Sequence, residues 1–100
     1  MSKAENEFQA NLIIRLKRLF PGCLVLKNDS SYIQGIPDLT VLWMGRWAML
    51  EVKASEGASV QNNQPYWVTT ANDMSFAAFI YPENEEDVLL DLQQAFSSGR

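Results

Sequence analysis

The hydropathy pattern of the chain predicts a small mixed α/β domain with the element order α-β-β-β-α-β-α. Three observations support this prediction. Apolar residues recur at helical spacing near both ends of the chain, short apolar segments of strand length lie between them, and Gly- or Pro-containing turns separate the segments. No internal repeat or long linker divides the chain. We therefore expect residues 1–100 to form one domain, in which a small sheet is flanked by helices.

The first helix is expected over residues 4–20, where the pair Pro21-Gly22 ends the pattern. Its apolar stripe recurs every three or four positions: Phe8, Leu12, Leu16 and Leu19. Glu5 falls on the same inward side of this helix, and Gln9 shares that side. A carboxylate facing the core is costly unless a partner or the rim of a site accommodates it. Glu5 is therefore a candidate site residue; the alternative is an acid at a frayed helix start, favoured there by the helix dipole.

Three strands are expected next, over residues 23–27, 38–43 and 46–53. The pair Met44-Gly45 has the length of a tight turn, so the last two strands are expected to form a hairpin. The polar residues after the first strand predict a turn or loop that leads into the hairpin.

The second half of the chain adds a helix and a strand. A helix is expected over Gln61–Asn72, where Pro65 is tolerated only in the first turn. Tyr66 and Trp67 on this helix are expected to lie in the core; the alternative is that they face a ligand. An apolar strand over Phe76–Tyr81 follows the helix.

Asn84 is expected to cap the last helix. The apolar face of that helix comprises Val88, Leu89, Leu92, Ala95 and Phe96. Five acids lie close together around its start: Glu83, Glu85, Glu86, Asp87 and Asp91. Acids in the first turn suit the positive end of the helix dipole. An alternative reading makes the chain a small interaction module whose acidic last helix docks a basic partner.

The counts of histidine and cysteine restrict the chemistry. The chain contains no histidine and one cysteine, Cys23, at a net charge of −4. A Ser-His-Asp triad, a Cys-His pair, a His-bearing zinc site and an intrachain disulfide are therefore excluded. The negative charge argues at first sight against a nucleic-acid partner, but residues 1–53 carry seven Lys/Arg against five Asp/Glu. The unpaired cysteine, and an N-terminus without the apolar core of a signal peptide, predict a cytoplasmic protein.

The predicted hairpin brings two carboxylates and a lysine together. A two-residue loop at Met44-Gly45 places Asp38 directly opposite Glu51, with Cβ atoms about 5 Å apart. Lys53 shares the strand face of Glu51, because residues two apart in a strand point to the same side. A divalent cation would convert the repelling pair into a binding site, and Mg²⁺ commonly uses one or two carboxylates together with waters and phosphate oxygens. The alternative is an ordinary run of alternating charges on the exposed face of an edge strand.

These motifs resemble the PD-(D/E)XK nuclease superfamily, and within it the small stand-alone VRR-NUC nucleases of bacteriophages. Five pieces occur in the matching order: Glu5, Phe8 and Gln9 of the first helix, then Gly35-Ile36-Pro37-Asp38-Leu39, Glu51-Val52-Lys53, Gln64-Pro65-Tyr66-Trp67 and Ser75-Phe76. The resemblance covers almost the whole chain and implies a restriction-endonuclease-like core with a C-terminal helix. Two features depart from the family pattern, namely Pro65 within the fourth piece and the lack of an expanded basic tail.

The resemblance implies an Mg²⁺- or Mn²⁺-dependent deoxyribonuclease that hydrolyses phosphodiester bonds. By this analogy Asp38, Glu51 and the backbone carbonyl of Val52 would bind the metal. Lys53 would serve the attacking water, and Glu5 would complete the acidic cluster as a possible further ligand. The stand-alone members look like Holliday-junction resolvases, so a homodimer that cuts branched DNA, in the cytoplasm of a bacterial or phage-infected cell, is implied.

Gln64 would support the site or the substrate by the same analogy, and Gln61 is a second candidate for that role. Further candidates for contact with DNA are Gln9, Gln61, Arg15, Arg18 and Arg46. We expect no membrane partner and no nucleotide cofactor. The alternative function is a catalytically inactive nuclease-fold module that binds DNA or a protein partner.

Overall fold

The computed structural model describes residues 2–98 of the chain, and in that range three helices and a four-stranded mixed sheet form a small α/β domain. The elements follow the predicted order α-β-β-β-α-β-α. Their bounds are α1 Lys3–Leu19, β1 Leu24–Lys27, β2 Leu39–Trp43, β3 Arg46–Val52, α2 Gln64–Met74, β4 Ala77–Ile80 and α3 Glu85–Ser97. Within residues 2–98, no helix is long and apolar enough to cross a membrane.

The hairpin has the predicted two-residue loop. Trp43 pairs with Arg46, and the antiparallel register between β2 and β3 continues from there to the other end of the hairpin. Met44 and Gly45 both have positive φ, 52° and 79°. Positive φ at both central positions is the geometry of a tight turn whose twist matches that of the flanking strands. Continued by one residue past the pair Leu39–Leu50, this register sets Asp38 opposite Glu51, as predicted.

The sheet has the strand order β1-β2-β3-β4, and only its last pair, β3 with β4, is parallel. A parallel pair needs a crossover, which α2 supplies. The main core lies on the sheet face that packs against α1 and α3, and its fully buried members include Leu12, Leu16, Leu39, Val41, Leu50, Val52, Ile80 and Leu92. Because side chains alternate along a strand, Glu51 belongs to the opposite face, where α2 packs against β3 and β4.

The second helix begins three residues later than predicted. It starts at Gln64 with Pro65 in its first turn, and the backbone N–H of Gln64 donates to the carbonyl of Gln61 in the turn before it. A proline has no N–H to donate and is best tolerated at the first helical positions, so Pro65 marks the start of the helix. The prediction of a buried Tyr66 is wrong: its side chain is 65% exposed.

Asn84 occupies the N-cap position of α3, but its side chain does not cap the helix. The Asn84 Oδ1 atom accepts from the backbone N–H of Tyr81, and Nδ2 donates to the carbonyl of Phe79. The side chain therefore closes the loop between β4 and α3 instead of the helix end. The acids in the first turn of α3 supply its favourable charge.

Candidate functional site

The end of the β2–β3 hairpin opposite its turn carries the two predicted carboxylates. Asp38 directly precedes β2, and its Oδ2 atom accepts a hydrogen bond of 2.8 Å from the backbone N–H of Val52 on β3. The carbonyl of Asp38 accepts from the backbone N–H of Asn28, at 2.8 Å. Asp38 is therefore held from both neighbouring strands, and its carboxylate is fixed beside Glu51.

Glu51 is buried to a degree that is unusual for a carboxylate, with 2% of its surface exposed. Its Oε2 atom accepts from Nε2 of Gln64 at 2.9 Å, whereas Oε1 is buried without a hydrogen-bond partner. Burial first, and then the charge of the neighbouring Asp38, raise the pKa of Glu51 to about 8, although the charge of Lys53 opposes the shift. The pair therefore needs a proton or a cation between its oxygens.

Lys53 directly follows β3, which ends one residue earlier than predicted, and it lies on the same side as Glu51, with 8% of its surface exposed. Its ammonium donates to Oε1 of Gln64 at 2.7 Å and to the carbonyl of Ser59 at 3.1 Å. The distance from Nζ to Glu51 Oε2 is 3.8 Å. The ammonium is thereby held in one position at the floor of the site.

Gln64 links these two charged residues. Its amide nitrogen donates to Glu51, and its amide oxygen accepts from the Lys53 ammonium and from the backbone N–H of Gln61, the latter at 2.9 Å. Of the two glutamines that the sequence left open, Gln64 thus contacts the charged pair through its side chain. Gln61 contributes its backbone N–H, and its exposed side chain lines the cleft above the site.

An open cleft of about 710 Å³ leads to Asp38, Glu51 and Lys53. Its walls come from the start of α1, the loop between β1 and β2, and the loop between β3 and α2. Glu5 lines the cleft from α1, one turn after Ser2, whose hydroxyl caps that helix. The Glu5 charge also raises the pKa of Glu51, which places Glu5 within electrostatic reach of the pair.

Within residues 2–98, no three Asp, Glu, Cys or His side chains are arranged so that they could hold a metal ion together. Glu5 lines the cleft, and in the described residues it forms no three-acid group with Asp38 and Glu51. Two carboxylates form a smaller donor set, and such a set suits Mg²⁺ or Mn²⁺, which complete their coordination with waters and substrate oxygens. The orphaned Oε1 of Glu51 is the atom that such an ion would satisfy.

The candidates for contact with DNA are dispersed. Gln9 is buried, with 7% of its surface exposed. Arg15 forms ion pairs with Glu85 and Glu86 on α3, at 3.2 and 2.6 Å. Arg46 donates to the carbonyl of Ser98 at 2.6 Å and lies at the turn of the hairpin, five strand residues or about 17 Å from Glu51.

Arg18, near the end of α1, is exposed to solvent. Of the residues predicted to touch DNA, Gln61 lies in the cleft. The structure thus brings together the predicted catalytic and metal-binding side chains, whereas the arginines predicted to contact DNA lie on other surfaces.

Sequence reasoning missed the carbonyl of Ser59 as a partner of Lys53 and the contribution of Gly35 to the cleft wall. A main-chain acceptor in a loop carries no side-chain signal. For the cleft wall the available signal was Gly35, which has a φ of 86° in the loop before Asp38.

Comparison with known proteins found no matching family model, no matching curated protein and no matching solved structure. The fold and the site are those of a small α/β protein in which Glu51, Lys53 and Gln64 form a hydrogen-bonded network beside the Asp38 carboxylate. Its function has to be argued from these residues.

Proposed function

We propose that this protein is a metal-dependent nuclease that hydrolyses phosphodiester bonds of DNA. The proposal includes a restriction-endonuclease-like core, similar to that of the VRR-NUC nucleases, and a homodimer that acts on branched DNA. The observation that carries it is Glu51, a buried carboxylate with one unpartnered oxygen beside the Asp38 carboxylate at the base of an open cleft. Two facing carboxylates, one of them buried, are costly with a single ammonium beside them, and a divalent cation removes that cost.

Asp38, Glu51 and the Val52 carbonyl would hold an Mg²⁺ or Mn²⁺ ion. When bound, such an ion supplies positive charge that stabilises the negative charge developing on a phosphodiester. The residues of the chain supply the geometry around it. The backbone N–H of Val52 orients Asp38, and the amide of Gln64 orients Glu51.

Lys53 would place a second positive charge against the substrate. Its ammonium is anchored by Gln64 and Ser59, and the cleft that it lines is open to a phosphate group. An ammonium fixed before the substrate arrives stabilises the transition state without a cost of reorganisation. Lys53 is therefore assigned to hold a phosphate oxygen or the attacking water in position.

The test is cleavage of a panel of four-way junction, flap and linear duplex DNA in the presence of Mg²⁺, Mn²⁺ or EDTA. We expect cleavage with either metal and none with EDTA. Asp38→Asn keeps an acceptor for the Val52 N–H, so it should fold normally and lose at least 100-fold in rate. Lys53→Ala should lose activity while binding to DNA is retained.

The matched control is Asp73→Asn, which removes an exposed carboxylate of α2 outside the cleft and should cut like the wild type. Cleavage by Asp38→Asn at the wild-type rate would refute the assignment of the metal site. DNA binding by the wild type without any cleavage on the panel would favour a catalytically inactive binding module.

A further inference from the structure

A second pocket adjoins the cleft and differs from it in chemistry. It has a volume of about 400 Å³ and is lined by Gln34, Gly35, Gln61, Asn62 and Asn63. Gln34, Gly35 and Gln61 also line the cleft, so the two spaces are continuous. Whereas the cleft contains carboxylates and a lysine, the pocket is lined by four side-chain amides and a glycine. Its size falls within the range of small-molecule sites.

The four amides of this pocket have no partner in the described part of the chain. Gln34 and Gln61 form hydrogen bonds through their backbone atoms, to Trp67 and Gln64 respectively. Asn63 holds the N-cap position of α2, yet its side chain does not cap the helix. A side-chain amide offers two donors and an acceptor. The pocket therefore presents an uncharged set of unused donors and acceptors.

The walls of the pocket are held in place by the main chain. The indole N–H of Trp67 donates to the carbonyl of Gln34 at 3.1 Å. A Cβ atom at Gly35 would lie 2.5 Å from Cβ of Asn63, so only glycine allows this approach. Beyond the indole, the exposed ring of Tyr66 lies edge-on to Trp67 at 5.8 Å. An exposed aromatic ring thus adjoins the indole that holds Gln34 of the pocket wall.

We infer that this pocket binds an unpaired nucleobase of the DNA whose backbone lies in the cleft. Asn and Gln side chains pair with the edges of bases, and exposed aromatic rings stack on their faces. A nucleobase is uncharged, planar and carries both donors and acceptors, as the pocket requires. The inference rests on the proposed nuclease function and narrows its substrates to DNA with a single-stranded nucleotide next to the scissile phosphate.

The direct test follows the side-chain NH₂ signals of Gln34, Gln61, Asn62 and Asn63 by NMR, with Ca²⁺ in place of Mg²⁺, so that the DNA is bound without being cut. The probes are a single-stranded DNA hexanucleotide and an abasic hexamer with the same sugar-phosphate backbone. We expect these signals to shift with the hexanucleotide and to remain unchanged with the abasic chain. Identical responses to the two probes, or no response to either, would overturn the inference.

The variants separate this pocket from the catalytic residues. The double change Gln34→Ala with Asn62→Ala leaves the backbone contacts of both loops intact, and Tyr66→Ala removes the exposed ring. Each should lower the rate on flap DNA relative to duplex DNA by about 5-fold or more. Asn11→Ala with Gln94→Ala, two exposed amides on α1 and α3, is the matched control and should leave that ratio unchanged.

Failure of this inference is distinguishable from failure of the nuclease proposal. If the wild type cuts flap and continuous duplex DNA at equal rates, with the same flap-to-duplex ratio in the variants, the nuclease proposal is supported and the base pocket is refuted. If the hexanucleotide shifts the NMR signals but the protein cuts no DNA, the base pocket is supported and the nuclease proposal is refuted.

Discussion

Glu51 is the residue on which the chemistry of the site depends. Its carboxyl group is withdrawn from water, faces Asp38 and has one oxygen without a partner. Lys53 and Gln64 both approach the other oxygen, Oε2. This asymmetry leaves Oε1 as the position for a proton, or for the cation that the proposed function requires.

The metal-free protein should lose stability as the pH rises. The pKa of Glu51 is raised to about 8 in the folded state, against an ordinary value of 4.5. Between these values the folded state holds a proton that the unfolded state releases, so the free energy of unfolding falls with pH. The contribution of Glu51 has a slope of up to about 1.4 kcal/mol per pH unit. Urea denaturation in EDTA at pH 5 to 8 measures it.

Glu51→Gln is the control for that slope, because an amide does not titrate. The variant should have a flatter profile than the wild type and be the more stable of the two at pH 8 in EDTA. Added Mg²⁺ should stabilise the wild type at pH 8 but not the variant. Equal slopes in the two proteins would show that Glu51 does not carry the proton.

Gln64→Ala and Gln61→Ala should have different effects, although the two residues are three positions apart. Loss of the Gln64 amide frees both Glu51 and Lys53, so we expect a decrease in kcat of about 10- to 100-fold. Loss of the Gln61 side chain preserves the backbone bond to Gln64, and kcat should change by less than about 3-fold. Steady-state cleavage kinetics test this, and similar losses of kcat in both variants would contradict it.

At the scale of elements, the hairpin positions the two carboxylates. Its two-residue turn sets the register, and the register sets Asp38 opposite Glu51 at the far end. A one-residue slip would turn Glu51 toward the apolar core and Leu50 toward the cleft. The local geometry of the turn therefore determines whether the site exists.

Met44→Asn should stabilise the hairpin. Met44 has a φ of 52°, which is unfavourable for most side chains but tolerated by Asn, and Asn-Gly is the preferred pair for such turns. The Met44 side chain is 74% exposed, so little packing is lost. We expect a gain of about 0.5–1 kcal/mol in the free energy of unfolding.

The matched control is Met74→Asn, which makes the same change at a helical position that is 66% exposed. It should lower the free energy of unfolding by a few tenths of a kcal/mol, because Asn favours the helix less than Met does. Thermal denaturation distinguishes the two variants. A loss of stability in Met44→Asn would contradict the role given to the turn.

The crossover between β3 and β4 completes the site. The chain leaves β3 after Val52, passes over Lys53 in a loop that includes Ser59, and enters α2 at Gln64. Because α2 packs on the sheet face of Glu51, its first residue reaches both charged side chains. The end of β3 and the start of α2 therefore meet because a parallel strand pair needs a crossover helix. No pattern in the sequence of either segment predicts this contact.

The molecule as a whole carries a net charge of −4, and two of its arginines are already engaged. Arg15 is paired with Glu85 and Glu86, and Arg46 contacts the carbonyl of Ser98. Few cations therefore remain to release counterions from DNA, and an acidic cleft repels phosphate. Binding to DNA should depend on a divalent ion more than on basic side chains.

We expect the wild type at pH 8 to bind flap DNA at least 10-fold more tightly with Ca²⁺ than with EDTA. Calcium is a hard cation that takes oxygen ligands, so it can neutralise the carboxylate pair. Asp38→Asn should bind more tightly than the wild type in EDTA and gain less from Ca²⁺. Fluorescence anisotropy measures these affinities, and an equal gain from Ca²⁺ in both proteins would place the ion elsewhere.

Much of this architecture followed from local features of the chain. Periodicity predicted the order of the helices and strands, and the Met44-Gly45 turn predicted the register that joins Asp38 to Glu51. Both depend on neighbours within a few residues, so they are readable without the fold. The same reading was wrong for Tyr66, because an aromatic residue on a helix does not reveal which side of that helix is covered.

The long-range contacts were decided by packing. The alternation of side chains along a strand was enough to assign Lys53 to the site. Its hydrogen bonds to Ser59 and Gln64, however, depend on the path of the crossover. The pairing of Arg15 with α3 depends on how two helices pack on one sheet face. The burial that raises the pKa of Glu51 depends on α2 covering the other face. These properties arise between segments distant in the chain, where no local pattern of residue types specifies the partner.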